Sequence, residues 1–108
     1  VYLYPRGNKE RVRLIKMHYK VVISDKSLKQ LKKLDSAVQR LIINFIEKNL
    51  EGSIDPRLLG KGLKGNLKGI WRYRVGDYRL LAKIEDEKLI IVFVDIGHRK
   101  NIYTINKF

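Results

Sequence analysis

The chain contains no cysteine, which excludes disulfide staples and thiolate metal sites. Its two histidines, His18 and His98, have no cysteine partners and fall short of a four-ligand zinc centre, so neither a metal nor an organic cofactor is expected. No apolar run approaches the roughly 18 residues of a membrane span. Residues 1–16 lack the apolar stretch of a secretion signal, and the cytoplasm is the simplest location. Acidic residues are also scarce, with 11 Asp and Glu against 24 Lys and Arg and a net charge of +13. An excess of that size calls for an anionic partner.

What is present fits one small domain of 108 residues, 44% hydrophobic, with room for a single core. The positive charge is concentrated. Between residues 57 and 83 stand eight basic side chains and one acid, Asp77. A solvated face built for solubility would mix the signs, so this block points to phosphate binding.

The first 16 residues show no period and carry the turn signal Pro5-Arg6-Gly7-Asn8. Met17, the only methionine, is read as the start of a single domain spanning 17–108, with 1–16 an extension outside the fold. YKVVI at 19–23 predicts a short strand. Ser24 and Asp25 then precede KSLKQLKKL, where Leu28, Leu31 and Leu34 share a stripe. Asp35 and Ser36 recap the chain for a second helix over about 37–49. There Val38, Leu41, Ile42, Phe45 and Ile46 give a stripe wide enough to cover a sheet.

GKGLKGNLKG at 60–69 begins as G-x-G-x-x-G but follows a helix and precedes a strand, the reverse of what a dinucleotide fingerprint requires. It is read as a flexible basic loop. Three strands follow. IWRYRV sends Trp71, Tyr73 and Val75 one way and Arg72 and Arg74 the other. After Gly76-Asp77, Tyr78, Leu80, Ala82 and Ile84 oppose Arg79, Leu81 and Lys83. LIIVFVDI, apolar on both faces, reads as an interior strand. The expected fold class is α+β in the order βααβββ, with two helices on one face of a small antiparallel sheet and the other face open to a partner.

Arg72 and Arg74 must leave the same face of their strand, and Arg79 lies just past the turn where it can reach the same area. Crowded guanidinium groups repel, and phosphate relieves the repulsion through paired hydrogen bonds. After the last strand come Gly97-His98-Arg99-Lys100 and Tyr103, a set able to combine proton transfer with phosphate clamping. Lys61, Lys64, Lys68, Lys83 and Lys100 are the candidate contacts to flanking phosphates.

The stretch LKGNLKGIWRYRVGDYRLLAKIEDEKLIIVFVDIGHRKNIY at 63–103, with R-V-G-x-Y-R followed by G-H-R-K-x-x-Y, resembles the RelE/ParE superfamily of toxins from bacterial and archaeal toxin–antitoxin systems. The resemblance extends from Met17 to Tyr103. It implies a compact domain like a microbial ribonuclease, with two helices on a curved antiparallel sheet, and a cognate antitoxin that wraps and neutralises the toxin. The RelE branch enters the ribosomal A site and cleaves messenger RNA there, whereas the ParE branch poisons DNA gyrase. A non-catalytic RNA-binding module is a further alternative. The nuclease reading implies metal-free attack of a ribose 2′-hydroxyl on the adjacent phosphate. Arg79 and Arg99 would hold that phosphate, Arg72 and Arg74 would steady the transition state, and Tyr103 would stack on a base or move a proton. Family members often carry lysine at the strand positions. Because arginine cannot serve as a base, that role passes to His98 first, then Tyr103, then Lys68.

Overall fold

The computed structural model of the chain describes residues 18–102. The proposed extension, Met17 and Tyr103 lie outside the described residues. The elements are β1 (Lys20–Ile23), α1 (Asp25–Lys32), α2 (Ser36–Asn49), β2 (Lys61–Gly62), β3 (Trp71–Val75), β4 (Tyr78–Glu85) and β5 (Ile90–His98).

Ser24 starts α1 by accepting a hydrogen bond on Oγ from the Ser27 N–H, at 3.1 Å, which satisfies one of the helix's orphan donors. Ser27, wholly buried, donates its hydroxyl to the Phe93 carbonyl at 3.0 Å and ties α1 to β5. Gln30 continues the seam one turn later. Its amide donates to Asp95 Oδ1 and its Oε1 accepts from the Ile96 N–H. The docking face is therefore Ser27, Gln30, Leu31 and Leu34, at i, i+3, i+4 and i+7. Leu28, expected on the apolar stripe, is 38% exposed instead. The polar Gln30 takes inner space because the edge of β5 beyond β1 needs partners for its backbone.

On α2, Ile42 and Ile46 are buried, with Val38 and Phe45 packed at their sides. Leu41, also expected inside, reaches the rim of the sheet by the Gly76 turn and is 51% exposed. The helices cover the face formed by Tyr73, Val75, Leu80, Ala82, Ile91, Phe93 and Ile96.

The sheet order is β1-β5-β4-β3-β2. β2 to β5 form an antiparallel meander, but β1 runs parallel to β5, pairing Lys20 with Ile90 and Ile23 with Phe93. The sheet is thus mixed and five-stranded, not wholly antiparallel. β5 is apolar on both faces and needs a neighbour on each edge. The helical pair carries the chain back so that β1 supplies the outer one. The 60–69 segment is likewise structured where a flexible loop was expected. It forms β2 and a 3-10 turn at Gly65–Leu67. Leu63 and Leu67 from it join Ile70, Leu81, Val94 and Ile102 in a second apolar cluster. The helix-free face is consequently covered in part by this segment.

Candidate nucleic-acid interface

Strand pairing brings the arginines together. β3 and β4 meet through the two-residue turn Gly76-Asp77, with Val75 opposite Tyr78, Arg74 opposite Arg79 and Arg72 opposite Leu81. Gly76 adopts φ of +58°, a conformation that costs glycine little. Side chains directly opposed on a sheet share a face about 5 Å apart, so Arg74 and Arg79 stand side by side. Lys61 pairs with Arg72 on the same side. The face away from the helices therefore carries a row of four cations; the alternation of the sequence predicted Arg72, Arg74 and Arg79, and β2 adds Lys61 from the segment expected as a loop. Lys61, Arg72 and Arg74 also line a groove of about 510 Å³ that extends past Gly60 and Leu59 to Phe45 and Tyr73. Within this arrangement Arg72 Nε is buried and has no hydrogen-bond partner.

The turn then draws in Arg99. Arg79 Nη1 donates to the carbonyls of Gly76 and Tyr78, at 3.0 and 2.9 Å. The Arg99 N–H donates to the Asp77 carbonyl at 2.8 Å, and Arg99 Nε lies 3.3 Å from Asp77 Oδ1. Arg79, on β4, and Arg99, in the turn just after β5, are thus both anchored on Gly76–Tyr78. Asp77 escaped the sequence reading as a functional residue. Its signal was available, because it is the single acid in the basic block.

His98 takes a different position. It pairs with Tyr78 across β4 and β5, and the two rings meet edge to face at 5.4 Å. Tyr78 packs against the helix-side core, so His98 stands on the opposite side of the strand end from Arg74 and Arg79. Its Nδ1 accepts from the Lys100 N–H at 3.1 Å. Lys64 and Lys100 are exposed. Lys68 and Lys83 line a separate groove of about 420 Å³ with Asn66, Ile70 and Glu85.

Arg57, counted in the basic block, is used structurally. Its guanidinium grips Asp86 through Nη1 and Nη2, at 2.9 and 3.0 Å. The Tyr19 hydroxyl donates to the same carboxylate at 2.6 Å. The Arg57 hydrogen bond, then that of Tyr19, holds the Asp86 carboxyl below its usual pKa. The bond to Asp86 raises the Tyr19 phenol. Beside this knot the buried Tyr73 hydroxyl donates to the Pro56 carbonyl, and burial raises its pKa strongly. Trp71 Nε1 donates to the Leu59 carbonyl at 2.8 Å. Gly60 turns beneath these bonds at φ +85°, where a Cβ would lie 2.4 Å from the Arg72 carbonyl. Together they fix the segment that presents Lys61 to Arg72.

Residues 21–103 match the family model of the ParE toxin of the type II toxin–antitoxin system parDE. The chain belongs to the RelE/ParE superfamily of type II toxins. The toxin is similar to Toxin RelG of Mycobacterium tuberculosis, 33% identical over 87 residues that span 81% of this chain and 98% of that protein. It also resembles the structure of the toxin–antitoxin complex RelBE2 from M. tuberculosis, with a TM-score of 0.69 and 30% identity, covering 76% and 99% of the two chains. The archaeal RelE–RelB complex from Pyrococcus horikoshii gives a TM-score of 0.59 at 26% identity, covering 78% and 98%. No helix among the described residues is long and apolar enough to cross a membrane.

Proposed function

We propose that this toxin is an endoribonuclease that cleaves messenger RNA in the ribosomal A site, without a metal, by attack of a ribose 2′-hydroxyl on the adjacent phosphate. The products are a 2′,3′-cyclic phosphate and a 5′-hydroxyl. One observation carries the reading: Arg74 and Arg79 adjoin on one sheet face, and Arg99 is tied to the same turn. Three guanidinium groups, from β3, from β4 and from the turn after β5, offer a phosphate the positive charge it needs as it gains negative charge in the transition state. Arg79 and Arg99 hold the scissile phosphate. Arg74 stabilises the phosphorane, and Arg72, with its free buried Nε, completes the cationic wall with Lys61. Lys64, Lys68, Lys83 and Lys100 serve the flanking backbone.

Proton transfer falls to His98 or Tyr103. Because Nδ1 accepts from the Lys100 N–H, the ring carries its proton on Nε2; from the far side of the strand end His98 is placed to donate toward a leaving oxygen and not to take the 2′-hydroxyl proton, so Tyr103 moves ahead of it as base. Lys68 lies in the other groove and ranks last. Cleavage by His98→Ala and by Tyr103→Phe separates the two.

The reading is tested by primer extension on a message translated in a reconstituted system. Codon-positioned cuts that need ribosomes are the expected result. The match to a family model named for ParE toxins gives a second reading, inhibition of DNA gyrase, and intact message beside trapped gyrase–DNA complexes would establish it instead. Type II membership gives the toxin a protein partner, its cognate antitoxin, and the acid-poor surface selects an acidic or amphipathic segment for it.

A further inference from the structure

We infer that the exposed apolar patch of Ile54, Leu58 and Leu59 is the seat of the chain's own residues 11–16, R-V-R-L-I-K, whose apolar side chains cover it while the basic ones meet the carboxylates around Tyr19. The inference does not depend on the reaction proposed above. The segment also precedes the stretch that matches the family model, so the occupant belongs to this chain and not to the family.

Ile54, Leu58 and Leu59 are 60%, 78% and 41% exposed, and none of them joins either apolar cluster. A single exposed leucine is ordinary, but three large apolar side chains on one short loop form a patch that calls for cover. Their exposure does not come from a loose loop. The Leu58 N–H donates to the Asp55 carbonyl at 3.2 Å and closes a turn. Arg57 grips Asp86, and the Leu59 and Pro56 carbonyls accept from Trp71 and Tyr73. The patch is thus pinned from within and faces solvent.

Chain connection and charge select the occupant. The Tyr19 N–H donates to the Ser53 carbonyl at 2.9 Å, and the Tyr19 carbonyl accepts from the Gly52 N–H at 2.8 Å. The chain therefore enters the domain beside Ile54. Lys16 stands three residues before Tyr19, a span of about 10 Å, so residues 11–16 can reach the whole patch. So short a tether gives an effective concentration of about a millimolar or more, and weak contacts suffice to seat the segment. Val12, Leu14 and Ile15 match the patch in kind, and Arg11, Arg13 and Lys16 are interleaved with them without an acid. The two segments bonded to Tyr19 carry Glu51 and Asp55 on one side and Glu85, Asp86 and Glu87 on the other, five of the chain's 11 acids. These carboxylates attract the basic segment and repel RNA. A second copy meets the mutual repulsion of two chains at +13. Once seated, the segment also fastens the loop that presents Lys61 to Arg72.

The test uses the full chain. It has no native cysteine, so a nitroxide on Lys9→Cys is a unique spin label, and its effect is read on the backbone amides by NMR. The label should broaden the signals of residues 54–59 and leave those of Arg74 and Arg79 sharp. Leu14→Asp combined with Ile15→Asp changes no residue of either apolar cluster and should lower the broadening about fivefold or more. Ile54→Asp combined with Leu58→Asp should do the same from the other side of the contact. Salt at about 1 M should lower it about twofold by screening the charges. Full intensity at residues 54–59 beside the label overturns the inference, and so does equal broadening in both aspartate variants. A mixture of spin-labelled protein with unlabelled, isotope-enriched protein identifies the source. Broadening that passes between molecules would assign the patch to a second copy and overturn a seat for the chain's own segment; broadening confined within one molecule supports it.

Discussion

Replacing Asp77 by asparagine should tighten RNA binding, although it removes an ion pair from the candidate site. The carboxylate lies 3.3 Å from Arg99 Nε, a separation worth about 1.3 kcal/mol at the dielectric constant of water. Both side chains are more than half exposed, at 51% and 69%, so screening reduces the pair to roughly 0.5–1 kcal/mol. A phosphate that takes Arg99 must first give up that interaction. Asp77→Asn removes the competitor but keeps the turn, because the Arg99 N–H bonds the residue 77 backbone carbonyl. Affinity for a short single-stranded RNA at about 100 mM salt should rise roughly two- to fivefold. The log–log salt slope should steepen by about 0.7, one more counterion being released from a cation no longer neutralised within the protein. Anisotropy titrations across a salt series measure both quantities. Weaker binding with an unchanged slope would show that the carboxylate orients Arg99 more than it competes for it, and the reasoning would fail.

Arg79→Ala and Arg99→Ala should each lower kcat/KM for cleavage by about a hundredfold. Thermal unfolding should stay within a few degrees of the parent, since the Arg79 side chain bonds only the Gly76 and Tyr78 carbonyls and that of Arg99 pairs only with the exposed Asp77. Tyr73→Phe leaves the ring packing against Phe45 and Phe93 intact but strands the Pro56 carbonyl. It should cost about 1–2 kcal/mol in urea unfolding and loosen the segment bearing Lys61. The Asp86 carboxyl titrates lower in the folded chain than in the unfolded one. Its contribution is therefore present above the ordinary carboxylate pKa and lost as pH falls through the folded value. The urea midpoint should decline below about pH 4, and Asp86→Asn should remove part of that decline.

The alternation of IWRYRV and YRLLAK made the arginine row legible, because the period-2 pattern fixes faces once the Gly76-Asp77 turn fixes the register. The order of elements was legible for the same reason. The direction of β1 was not, since YKVVI suits either pairing and only the interior position of β5 decides it. The face of α1 was misjudged at Leu28 because hydropathy takes no account of a glutamine that bonds the backbone of a strand end. His98 follows Gly97 at the end of a strand, and its side depended on register against Tyr78 across a bulge near Leu81 and Ala82. Asp86 and Arg57 are 29 residues apart in sequence, so no local pattern joins them.

The same five residues of β3 carry both stability and the charge for function. Trp71, Tyr73 and Val75 enter the helix-side core, and Arg72 and Arg74 leave by the opposite face. A slip of one residue would drive both arginines under the helices and expose Tyr73. Desolvating even one unpaired cation costs several kcal/mol, a large fraction of what a small domain has in reserve. The register that positions the cations is thus held by the core on the reverse side and by the bonds of Tyr73 and Trp71 to the Pro56 and Leu59 carbonyls. The arginines can repel one another at the surface without the sheet shifting to relieve them, and their repulsion remains available for a phosphate to discharge.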